Sequence, residues 1–155
     1  MLRKKIALSV IILSASFAAG GSAFASNPYL PFDEYIPDSE HRVFNDRLYI
    51  YGSHDLIDVY GGGCAGSYEA WSAPLDDLDN WTYEGVMYDK TRDPGYQDGM
   101  NMLASDCVEK DGYYYLYYST VINTDGNKIA VARSDSPAGP FDYYGEVTYE
   151  DGSLY

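Results

Sequence analysis

Hydrophobic positions in this chain come in short runs, alternating with polar residues or rich in aromatics, and Asp, Gly, Asn or Pro breaks them every few residues. That pattern predicts short β-strands and turns, not helices. The clearest case spans Ser105 to Thr120, two β-prone runs joined by Asp111-Gly112. Asp-Gly between such runs is the strongest short-range hairpin signal, because both central residues of a type I′ turn need positive φ. Strands are expected at about Arg42–Phe44, Arg47–Ser53, Tyr68–Ala73 and Trp81–Val86. After an Asp- and Gly-rich loop from Tyr88 to Met102, four more are expected at about Asp106–Lys110, Tyr113–Thr120, Lys128–Ser134 and Phe141–Gly145.

The eight strands fall into two copies of one unit. Asp38 precedes a short strand, a polar turn and the aromatic strand Tyr49-Ile50-Tyr51-Gly52-Ser53; Asp106 precedes the same layout ending in Tyr115-Leu116-Tyr117-Tyr118-Ser119. Asp38 and Asp106 are 68 positions apart, Tyr49 and Tyr115 are 66, and Trp81 and Phe141 are 60, so the offset drifts only by loop length. A four-stranded unit repeated in tandem is the signature of a β-propeller. The rival all-β arrangement, a sandwich of two four-stranded sheets, gives no reason for the same Asp before the first strand of both sheets. The expected fold is therefore two four-stranded blades of a β-propeller truncated after its second blade.

Composition adds three constraints. Eighteen tyrosines suit both an all-β core and carbohydrate binding, where a ring packs on C–H groups while the phenol bonds hydroxyls. A net charge of −14 with no cluster of Lys or Arg after the first few residues excludes a nucleic-acid partner. Residues 1–25 read as an export leader: Arg3, Lys4 and Lys5, the apolar run Ile6 to Ala19, then Ala23-Phe24-Ala25 before Ser26. That apolar run is shorter than the roughly 20 residues a membrane span needs. Residues 26–155 are then the mature, secreted part, extracellular or periplasmic, with no membrane partner after cleavage. Cys64 and Cys107 could form one disulfide in such a compartment, but the expectation is two free, buried thiols. If Asp106 faces a cavity, alternation sends Cys107 to the packing side. Two Cys and two His, at no recognised spacing, predict no metal site and no cofactor, leaving open only an axial ion in a complete propeller.

Several segments together carry a resemblance: Asn27-Pro28-Tyr29-Leu30-Pro31, Tyr35-Ile36-Pro37-Asp38-Ser39-Glu40, Arg47 through Asp55, and Ser72-Ala73-Pro74-Leu75-Asp76-Asp77-Leu78 with Trp81. They are similar to the opening of family 43 of the glycoside hydrolases. These are five-bladed propellers that hydrolyse arabinose- and xylose-containing plant polysaccharides. The resemblance implies an inverting mechanism in which Asp38 matches the general base and Asp106 the acid-tuning aspartate. The general acid is a Glu from a later blade, and no Glu of this chain stands in a matching context. Inversion places base and acid about 6.5–9.5 Å apart across the sugar, and a third carboxylate near the acid raises its pKa by like-charge repulsion. The chain departs from the family at Leu103-Ala104-Ser105-Asp106, where Trp-Ala-Pro-Asp is common, and at Glu40-His41-Arg42, where Glu-Pro-His is common. Beside the expected enzyme, alone inactive for want of its acid and of the remaining blades, stand a non-catalytic carbohydrate-binding propeller and a structural or adhesion fragment with outward-facing carboxylates.

Overall fold

The computed structural model describes residues 29–58, 63–122 and 125–154. The export leader predicted over residues 1–25 lies outside them. Two four-stranded antiparallel sheets follow one another along the chain. The first contains β1 (Glu40–Phe44), β2 (Arg47–Tyr51), β3 (Tyr68–Pro74) and β4 (Thr82–Tyr88); the second contains β5 (Met100–Lys110), β6 (Tyr113–Ile122), β7 (Asp125–Ser134) and β8 (Asp142–Glu146). Each is a simple meander, with strands paired in chain order.

The two opening hairpins are built alike. Asp111 and Gly112 have φ of 55° and 78°, and Asn45 and Asp46 have 50° and 60°, so both turns take the doubly positive form. The flanking pairs are Lys110 opposite Tyr113 and Phe44 opposite Arg47. Asn and Asp tolerate this backbone region better than other residues with a Cβ, which explains how the first repeat forms the turn without glycine.

β5 starts earlier than its sequence pattern predicts, at Met100 instead of about Asp106. Met100 and Met102 pair with Ile122 and Thr120, and both methionines are fully buried, so burial extends the strand into a stretch read as loop. A bulge between Met102 and Ser105 then resets the pleat. The rest of the predicted loop after Tyr88 contains a short 3-10 helix, Lys90–Arg92, capped by the Asp89 side chain. No helix among the described residues is long and apolar enough to cross a membrane.

The sheets pack face to face around one core. Tyr51, Tyr68, Met87 and Tyr88 from the first meet Met102, Cys107, Leu116 and Tyr118 from the second, with Phe141 just ahead of β8. Polar tips within this core are satisfied across the interface: Tyr51 donates to the Pro137 carbonyl at 2.6 Å, Tyr68 to the Leu103 carbonyl, and Asn45 to the Tyr114 hydroxyl at 3.1 Å. This is how tyrosine can replace aliphatic residues without leaving a buried hydroxyl unpaired. On β6, Tyr114, Leu116 and Tyr118 are buried against the first sheet, while Tyr113 and Tyr117 on the opposite face stay 42% exposed. Cys107 is fully buried, as its alternation with Asp106 predicts; Cys64 is only half-buried, and neither is in a disulfide.

Candidate active site

Asp38 sits in the turn before β1, with φ of 53°. The segment carrying it is tied down by the end of β2 and the residues after it. Ser53 N–H donates to the Pro37 carbonyl at 3.2 Å and Asp55 N–H to the Tyr35 carbonyl at 3.0 Å. Gly52 lies so close beneath that an added Cβ would stand 2.7 Å from Ile36 Cγ2 and 2.9 Å from the Pro37 oxygen. The turn is thus held against residues 52–55, and the left-handed backbone of a non-glycine residue at Asp38 is fixed by its surroundings.

Asp106 is placed differently. It lies inside β5, directly across from Tyr117 on β6, and not ahead of a strand as Asp38 does. The predicted equivalence of the two aspartates therefore fails at the level of strand position. They nonetheless line one open cleft of about 580 Å3 between the sheets. Its walls are Asp38, Ser39 and Glu40 on one side and Ala104, Ser105 and Asp106 on the other, with Tyr117, Tyr118, Ser119 and Ile129 completing it. That volume is within the range of small-molecule sites.

Both oxygens of Asp106 are engaged. Oδ2 accepts from Arg42 Nη2 at 2.6 Å and Oδ1 from the Cys107 N–H at 2.7 Å. Arg42 also approaches Glu40 Oε2 at 3.6 Å and donates to the His41 carbonyl at 3.2 Å. Its hydrogen bond to Asp106 raises the guanidinium pKa further, so it is a fixed positive charge. Sequence reading missed Arg42 as a site residue, although Glu40-His41-Arg42 stood out as a departure. What was visible was the proline missing at position 41; the cation gained at position 42 needed the fold to find its partner 64 residues away.

Beneath the cleft, Tyr118 is anchored by Tyr88 and Asp93, with O–O distances of 2.9 and 2.5 Å. Glu40 is the one glutamate among the described residues that lines the cleft, and its side chain is 56% exposed beside Arg42. Away from the cleft, the fold assembles a potential cation-ligating group that the sequence spacing did not suggest. His54 stands between Glu34 and Glu69, with Nε2 at 3.9 Å from one and Nδ1 at 3.4 Å from the other. Burial first, then the Glu69 carboxylate, raises the pKa of Glu34, with His54 opposing. The two carboxylates approach opposite ring nitrogens of this largely buried imidazole.

With this geometry in place, the comparisons with known proteins converge. The sequence model of Glycosyl hydrolases family 43 matches residues 26–154. A xylosidase/arabinosidase from Thermoclostridium stercorarium is 50% identical over 129 residues, covering 82% of this chain and 26% of that protein. A beta-xylosidase from Xylanibacter ruminicola is 34% identical over 117 residues, covering 70% of this chain and 35% of that protein. Among solved structures, a beta-xylosidase/alpha-arabinofuranosidase from a compost microbial metagenome, in complex with xylotriose, superposes with a TM-score of 0.62 at 30% identity. It is covered over 78% of this chain and 41% of its own. The chain thus spans roughly a quarter to two fifths of the proteins it matches, and its two sheets are two blades of their propeller. A match over residues 26–154, joined to this fold, shows that the chain belongs to family 43 of the glycosyl hydrolases.

Proposed function

We propose that this chain supplies two of three catalytic carboxylates to an exported, inverting glycosidase acting on xylose- or arabinose-containing plant oligosaccharides and polysaccharides. The observation that carries the proposal is the convergence of Asp38 and Asp106 on one cleft from two successive blades. Asp38 is the general base: it deprotonates a water on one face of the sugar. Asp106 lies near the general acid and keeps it protonated and oriented. The acid is a Glu from a segment beyond the two blades, donating its proton to the leaving oxygen from the opposite face. Residues 1–25, with their basic head, apolar run and A-x-A end, support export. The names of the relatives, xylosidase and arabinosidase, support the sugar class.

The complete reading frame, assayed on aryl xylosides and aryl arabinofuranosides, should turn over at least one of them. The first-formed sugar should carry inverted anomeric configuration by proton NMR. Asp38→Asn should lower kcat by at least a hundredfold, in line with loss of a general base. A full-length protein that binds xylo-oligosaccharides but cleaves none overturns the enzyme reading. It would favour a binding propeller.

A further inference from the structure

The carboxylate assigned to tuning the acid is not a free negative charge. Arg42 reaches from β1 across the gap between the blades to Asp106 on β5, and this pair, at 2.6 Å, bridges the two walls of the cleft. The groups facing Asp106 are Arg42 and Glu40 from β1, Asp38 from the preceding turn, and the Tyr117 phenol across the ladder on β6, while the Cys107 thiol lies on the buried face of β5. Arg42 is the sole cation in that set. Cys107 contributes no charge at working pH, because burial pushes its thiol up to about 12.

We infer that Arg42 is a positioning residue for Asp106, fixing the carboxylate and screening its charge, so that the general acid loses its proton at lower pH than it would beside an unpaired aspartate. This rests on the glycosidase reading above. Two opposing effects follow from one ion pair. With one oxygen held by a guanidinium and the other by a backbone N–H, Asp106 loses rotamer freedom, which favours a fixed orientation toward the acid. Its repulsion of the acid, the effect that raises the acid's pKa, is at the same time partly cancelled by a positive charge in contact. The pair is about 40% exposed on both sides, so solvent screening limits the effect to a modest one.

The test is the pH profile of kcat/KM for the full-length protein at low ionic strength, whose alkaline limb reports the group that must stay protonated. Arg42→Gln should move that limb up by about half a pH unit or more, and should lower kcat through the loosened carboxylate. Added salt should shrink the difference between the wild type and this variant. Arg42→Lys keeps the charge and should leave the limb in place. Where Arg42→Gln fails to fold, Arg42→His, neutral on the alkaline side, carries the same expectation. A fall in kcat with an unmoved limb assigns Arg42 to structure alone and overturns the inference. A limb displaced equally by Arg42→Lys also overturns it, since charge would not be the cause. Absence of wild-type turnover overturns the glycosidase reading and this inference together, whereas wild-type turnover with an unmoved limb overturns this inference only.

Discussion

The hydroxyl of Tyr118, on β6 in the wall of the cleft, lies 2.5 Å from Oδ2 of Asp93, a carboxylate only 3% exposed in the loop after β4. Asp93 Oδ1 accepts from the Gly95 N–H at 2.7 Å, and Tyr88 meets the same Tyr118 hydroxyl at 2.9 Å. One phenol therefore joins the blades and supplies a donor to a buried carboxyl oxygen. Tyr118→Phe leaves Asp93 Oδ2 without its donor, so it should destabilise the full-length protein by about 1–3 kcal/mol in denaturant unfolding. Tyr88→Phe removes only a neutral partner and should cost about 1 kcal/mol or less. Equal losses for the two would contradict this ordering.

Gly52 controls the position of Asp38 without touching the cleft. Alanine there places a methyl group against the Pro37 oxygen and Ser39 Cα, at 2.9 and 3.0 Å, as well as Ile36 Cγ2 at 2.7 Å. Two of these neighbours are backbone, so the segment 36–39 must shift. Gly52→Ala should lower kcat/KM by about tenfold or more, because a small misplacement of a catalytic group is costly, and should lower stability by about 1–3 kcal/mol. Unchanged kinetics would mean that Asp38 does not depend on this seat.

Much of this was legible in the chain, for identifiable reasons. The hairpin at Asp111-Gly112 was visible because glycine marks positive φ directly, and the four-strand repeat because its turns and aromatic strands recur. Asp38 and Asp106 could be picked out by their context, and both reach the cleft. The real start of β5 was hidden, since Met100 and Met102 are buried by partners on β6 and across the interface, not by local pattern. The Arg42–Asp106 pair and the setting of His54 between Glu34 and Glu69 were hidden for a related reason: each depends on which distant residues the fold brings together.

Stability should fall steeply in alkali. Burial pushes Cys107 and Tyr88 up to about 12, and raises Tyr51 and Tyr118 as well, so the folded state keeps these protons where the unfolded chain has released them. The unfolded state then binds fewer protons, and the unfolding free energy decreases with pH. The decline begins near pH 9, where an unfolded thiol ionises, and steepens above 10 as unfolded tyrosines follow. Each fully differential group contributes at most about 1.4 kcal/mol per pH unit. Cys107→Ala, though it leaves a small cavity, should flatten the slope between pH 9 and 10 in denaturant unfolding. An unchanged slope would show that the thiol does not titrate in the unfolded state as described. For the same reason Cys107 should resist alkylation in the native protein, as only the thiolate reacts.

The outward face of the second sheet sets the behaviour of residues 26–155 expressed alone. Val108, Tyr113 and Tyr117 are each 42% exposed there and Tyr144 57%, with Tyr115 and Tyr144 packed ring to ring at 5.7 Å and Arg133 lying over Tyr113 and Tyr144. An apolar strip of this kind on a propeller blade is normally covered by a neighbouring blade. Covering a large side chain completely contributes about 1.5–3 kcal/mol, so four half-covered ones forgo several kcal/mol, a large share of a domain's net stability. The isolated chain should therefore self-associate, in sedimentation velocity, at concentrations where the full-length protein is monomeric. Tyr117→Lys combined with Tyr144→Lys puts charge on the strip and should restore a monomer without restoring stability. The isolated wild-type chain should also cleave no aryl glycoside, since the proposed function takes its general acid from outside the two blades. A wild-type monomer of residues 26–155 with a sharp cooperative melt would show that this face needs no cover, and association unchanged in the double variant would place the contact elsewhere.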